Sequence, residues 1–158
     1  MQLGDDLISW SNKFKYIGVM FNGEKTLSID VNVIKRFLYA ACNCILGNSK
    51  YQNEILKLCL QESYALPVLQ YACSAITFTK LQLNDLNVCW NSVYRRIFGF
   101  CKFEPVHRFI AGLDRFDFLH IHLLLTLKFI KCAQFTSNTV FQSLVGINMQ
   151  SLLHLACC

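Results

Sequence analysis

The chain has 158 residues, 54% of them hydrophobic and 13% aromatic, which is enough for one domain with its own core and excludes a disordered chain. Only 16% of residues are charged, against about a quarter in soluble domains, so the sequence carries more apolar surface than a chain of this length covers by itself. The net charge of +5 permits a phosphate-rich partner without requiring one. Nine cysteines, an odd number with no secretory leader in Met1–Trp10, predict reduced thiols in an intracellular protein of the cytoplasm or nucleus. Cys42, Cys59, Cys73, Cys89 and Cys132 sit among helix-period apolar residues and are expected to be mostly buried.

Residues 2–22 are expected to form a β-hairpin. Gly4-Asp5-Asp6 gives the first turn, Ser11-Asn12-Lys13 leads into a single strand from Phe14 to Phe21 with Gly18 inside it, and Asn22-Gly23 is the next turn. A lone hairpin has no sheet to join, which predicts that partner strands lie outside this sequence and that the chain is a piece of something larger.

From residue 23 the period becomes helical. Ile34, Phe37, Leu38, Ala41 and Ile45 recur at steps of three and four and stop at Gly47-Asn48. Ser49-Lys50-Tyr51-Gln52 has capping-box spacing and predicts the start of a second helix, which Pro67 should kink or split. Thr79-Lys80-Leu81-Gln82 repeats that spacing before a third helix with the face Leu83, Leu86, Trp90, Val93, Tyr94 and Ile97, ending at Gly99. Val106–Leu113 and Asp117–Gln134 are two further helices, and Thr139–Val145 is a last amphipathic turn or two. The predicted fold is therefore mainly α, a helical bundle with a short N-terminal β-hairpin. It divides into 1–22 (hairpin), 23–147 (helical domain) and 148–158 (tail).

The motifs argue against chemistry. Asp5 and Asp6 are adjacent carboxylates of the kind that hold metal ions for nucleotidyl transfer, but no upstream strand supplies the further acids, so the pair is taken as a turn. His120 and His122, and Cys42 and Cys44, are two apart on helices and cannot face one ion. No phosphate-binding glycine loop and no nucleophile signature is present, so no cofactor and no metal is expected. Cys157-Cys158 has the form of a double-cysteine prenylation signal, without the rest of a small GTPase around it. The longest uncharged run, Ser63–Thr79, is broken by Pro67 and is too short for a membrane span. Tyr94-Arg95-Arg96 with Phe98, Phe100 and Phe103 interleaves cations and aromatics, as a nucleic-acid surface does and as a buried aromatic face flanked by solvated arginines also does.

Four segments in order resemble the LINE-type non-LTR retrotransposon reverse transcriptases. Phe14-Lys15-Tyr16-Ile17-Gly18-Val19 is similar to the strand that closes their palm. Phe37 with Tyr39–Leu46, Glu62–Ala72, and Cys89–Phe100 resemble the helices that follow it. The resemblance covers roughly residues 3–147. It implies a primer-grip-like hairpin followed by a thumb-like domain that, in the parent enzyme, holds an RNA–DNA or DNA duplex. It further implies contacts at Phe14, Tyr16 and Gly18, and phosphate contacts at Lys35, Arg36, Arg95 and Arg96. The fingers and the catalytic palm with its paired aspartates are absent, so the chain is expected not to be an enzyme on its own. Ile17 stands in place of leucine, Leu38 separates Phe37 from Tyr39, Phe103 stands in place of tryptophan and Pro105 in place of serine, as in a drifted, truncated copy. A different class, a small intracellular helical module for protein–protein interaction, accounts equally for the surplus apolar surface.

Overall fold

In the expected single strand from Phe14 to Phe21, the chain reverses at Gly18. The computed structural model, which describes residues 2–3, 6–7, 11–16, 18–23, 27–71 and 78–135, places two strands there, β3 (Lys13–Tyr16) and β4 (Val19–Gly23). They pair antiparallel with Tyr16 opposite Val19, and Gly18 has φ +79°, a left-handed conformation that a side chain opposes. β5 (Leu27–Ile29) pairs with β4 to complete a three-stranded antiparallel sheet in the order β3-β4-β5. Ahead of it, β1 (Gln2–Leu3) pairs antiparallel with β2 (Asp6–Leu7), with Leu3 opposite Asp6. The boundary expected after residue 22 therefore falls inside β4, and the sheet continues to Ile29. Val19, Ile29 and Val31 are buried in the same apolar cluster as the helices, so sheet and helices share one core.

The helices dominate the chain, as their periodicity predicts. α1 (Val31–Asn48) starts at Asp30, whose carboxylate accepts the Asn32 N–H at 3.1 Å. It buries Leu38 and Cys42 and runs on through Gly47. Ser49 does not open the second helix. Its N–H and its Oγ both donate to the Ile45 carbonyl, at 2.9 and 2.7 Å, and so close α1. α2 (Glu54–Leu60) begins instead at Asn53, whose side chain accepts the Leu56 N–H at 2.7 Å. Asparagine caps as well as serine, and the Ser49 hydroxyl is already engaged with Ile45.

Pro67 is absorbed rather than followed by a break. The turn ahead of it, Gln61–Ala65, is π-helical, with the Leu66 N–H reaching back five residues to the Gln61 carbonyl, and α3 (Leu66–Gln70) continues beyond. Proline lacks the N–H that an α-helix would donate, and a widened turn takes up the mismatch. The Gln61 side chain is fully buried in this turn, where its amide donates to the Cys42 carbonyl of α1 at 3.1 Å.

α4 (Lys80–Phe98) is the central element. Thr79 and Gln82 form a reciprocal capping box, and Gly99 ends the helix in the left-handed conformation. Leu86, Cys89, Trp90, Val93, Tyr94 and Ile97 are buried along it, in one cluster with Leu38, Leu58, Leu69, Ile110 and Phe118 from the other helices and Val106 just ahead of His107. α1 and α4 lie side by side and parallel: Lys35 meets Asp85, Tyr39 meets Ser92 and Asn43 meets Arg96, both numbers rising together. α5 (His107–Gly112) and α6 (Phe118–Gln134) follow. The Asp117 carboxylate starts α6 by accepting the His120 N–H at 2.9 Å. No helix among the described residues is long and apolar enough to cross a membrane.

The cysteines divide differently from the expectation. Cys42 and Cys89 are buried, and burial raises the Cys42 thiol to about 11. Cys59 and Cys132, also expected to be buried, are exposed, as are Cys44 and Cys101, because apolar neighbours in sequence do not by themselves place a residue on the inward face. Cys73, Cys157, Cys158, Asp5 and the expected turn Thr139–Val145 lie outside the described residues.

One half-buried base, His122, should make folding pH-dependent. His122 packs edge-on against the Phe78 ring at 6.1 Å, and burial lowers its pKa from 6.5. The unfolded chain then binds a proton that the folded chain resists, so this position's contribution is complete above pH 6.5 and is lost as pH falls below it. Urea melts at neutral pH and at about pH 5 should show a loss of stability on the acid side that His122→Leu reduces. Equal acid loss in that variant would rule His122 out as a source.

Candidate nucleic-acid interface

A strand that closes a sheet normally buries one face. β3 buries neither: Lys13, Phe14, Lys15 and Tyr16 are all exposed, Tyr16 to 63%. Alternation along the strand separates them, the two lysines to one face and the two aromatics to the other. Phe14 stacks on its cross-strand partner Phe21 with ring centres 5.4 Å apart, which fixes it in place. Gly18 sits at the end of this ladder, and a Cβ there would stand 3.6 Å from the Tyr71 ring of the segment after α3. Gly18 thus has a conformational role that a sequence motif does not reveal. Beside it an apolar cleft of about 380 Å³ opens between sheet, α1 and α3, lined by Gly18, Val19, Ile34, Phe37, Val68 and Tyr71.

The other candidates lie on and beside the seam between α1 and α4. Lys35 donates to the Asp85 carboxylate at 2.8 Å, and that hydrogen bond, more than the Asp85 charge, raises its pKa. Arg96 donates to Asn43 Oδ1 at 2.8 Å, and its guanidinium lies 5.2 Å from the centre of the Tyr39 ring. Arg95 turns away from the seam and donates through Nε to the Glu104 carbonyl at 2.9 Å. Arg36 is exposed and has no ion-pair partner among the described residues. Of the four cations assigned to phosphate by resemblance, three are therefore engaged within the chain, and no described contact joins them to Phe14 or Tyr16. Asp85 and Asn43 set this arrangement from positions 50 and 53 residues away from their partners, a distance at which no sequence pattern signals it.

The remaining polar groups do not assemble a metal centre. Among the described residues no three His, Cys, Asp or Glu side chains come together to hold an ion. His120 is exposed and bonded to Asp117 Oδ1 at 2.6 Å, while His122 faces Phe78, so the two histidines point apart. Glu62 is paired with Arg115 at 2.9 Å.

No family model, no curated protein and no solved structure matches the chain.

Proposed function

We propose that this chain is the primer-grip and thumb portion of a LINE-type reverse transcriptase, catalytically inactive by itself, which in the parent enzyme holds an RNA–DNA or DNA duplex beside the palm and fingers. The observation that supports the reading best is β3: an edge strand exposed on both faces, with Lys15 on one, beside Lys13, which pairs with Asp30 at 3.9 Å, and with Phe14 and Tyr16 on the other. Exposed cations beside exposed aromatics suit a phosphate backbone and its bases. The resemblance of the Phe14–Val19 segment points the same way. In this reading the compartment is intracellular and the polymerase carboxylates belong to the palm.

Salt-titrated binding to an RNA–DNA hybrid tests it. Each phosphate contact releases counterions and adds about 0.9 to the salt slope on a duplex. Lys15→Gln with Arg36→Gln should lower the slope by about 2 and leave the melt unchanged, because both residues are exposed. An unchanged slope, or no binding by the parent chain, would overturn the reading. The second reading, a helical protein-interaction module, would then lead, carried by the exposed leucines Leu123, Leu124 and Leu127 of α6.

A further inference from the structure

Three phenylalanines follow Arg95 and Arg96, and the fold uses them differently. Phe98 and Phe100 both pack edge-on against Phe109 of α5, with ring centres 4.7 and 4.9 Å away, and are half-buried there. Phe103 is 89% exposed. It stands two residues into a tight turn, Cys101–Glu104, that three hydrogen bonds brace. The Glu104 N–H donates to the Cys101 carbonyl at 3.1 Å, and the Cys101 N–H donates to Glu104 Oε2 at 3.1 Å. Arg95 Nε donates to the Glu104 carbonyl at 2.9 Å. The Lys102 ammonium lies 5.5 Å from the centre of the Phe103 ring.

An exposed phenylalanine gains by folding back onto apolar neighbours, and the Phe98–Phe100–Phe109 cluster is close in sequence. The braced turn holds it outward instead. With the backbone of the turn already fixed, less entropy is lost when the ring binds a partner. We infer that the Cys101–Glu104 turn is a stacking site for one unpaired base of a nucleic-acid strand, with Phe103 as the platform, Lys102 as the neighbouring phosphate contact and Arg95 as the residue that positions the turn. The inference rests on the nucleic-acid reading above and narrows it. Inside a duplex both faces of a base are covered by its neighbours, so a protein ring stacks on an unpaired base. The charge agrees: Lys102 is at the tip, His107 and Arg108 are exposed just beyond it, and the carboxylate of the turn, Glu104, is bonded to the backbone.

The test compares a labelled oligo(dT) with a blunt RNA–DNA hybrid of equal length, each titrated with the full chain. Stacking on one base is lost with the ring, so Phe103→Ala should weaken oligo(dT) binding about 5- to 150-fold. Hybrid binding should stay within about twofold, and the circular dichroism melt should not move. Phe103→Trp should restore the oligo(dT) affinity. Arg95→Ala should weaken oligo(dT) binding without flattening its salt slope, which separates a positioning residue from a phosphate contact. If the chain binds the hybrid and Phe103→Ala changes nothing, or weakens both ligands equally, the stacking site is refuted and the duplex reading stands. Failure to bind oligo(dT) while binding the hybrid also refutes it. A folded chain that binds neither ligand refutes both readings.

Discussion

Trp90→Ala should abolish a cooperative melt. Trp90 is fully buried at the middle of α4, edge-on to the Tyr94 ring with centres 5.7 Å apart. Removing such a side chain forfeits its transfer energy and leaves a cavity, together about 3–5 kcal/mol. A domain of this size has about 5–15 kcal/mol in all. Here the core is also asked to hold a surface with many exposed apolar side chains, Leu123, Leu127 and Phe37 among them. Two controls separate packing from chemistry. Among the described residues the indole N–H has no hydrogen-bond partner, so Trp90→Phe removes a buried donor along with some area and should keep a cooperative melt at a smaller cost. Leu81→Ala, at an exposed position on the same helix, should change stability by less than about 0.5 kcal/mol. Circular dichroism melts of the three variants decide. A cooperative, near-parental melt for Trp90→Ala would show that α4 is not the centre of the core.

Gly18→Val should unlatch the sheet while leaving the helices. Space is not the obstacle, since a Cβ at Gly18 meets only the Tyr71 ring, at an ordinary 3.6 Å. The backbone is: φ +79° places the Cβ of an L-residue too close to the following carbonyl, at about 1–2 kcal/mol, and β-branching adds to it. A three-stranded sheet has little stability to spend on that strain. Among the described residues β3 pairs only with β4, so its pairing fails first. Hydrogen exchange should accelerate at the β3–β4 amides and remain slow in α4. Gly18→Asn, which tolerates the left-handed region, should be milder. Protection of β3 unchanged in Gly18→Val would mean that the turn does not depend on this conformation.

What the sequence determined by itself is what neighbouring residues settle among themselves. The Thr79–Gln82 capping box, the stripe from Leu83 to Ile97 and the Gly99 stop define α4 within one stretch of chain, and the structure has all three. The mainly helical class and the start of α6 at Asp117 follow from the same local logic. Elsewhere the structure departs from the local reading: Ser49 closes α1 in place of opening α2, the chain reverses at Gly18 in place of running on as one strand, and a π-turn stands where a break was expected at Pro67. Burial follows the face of the helix and not the neighbours in sequence: Cys42, four residues from buried Leu38, is buried, and Cys44 is exposed. The fate of the cations was decided at long range. Lys35, Arg95 and Arg96 look alike in sequence, but the parallel packing of α1 and α4 brings Asp85 and Asn43 to two of them, and the turn after Gly99 brings the Glu104 carbonyl to the third. A basic residue is available to a partner only when the fold leaves it unengaged, and that depends on which groups 50 residues away are delivered beside it.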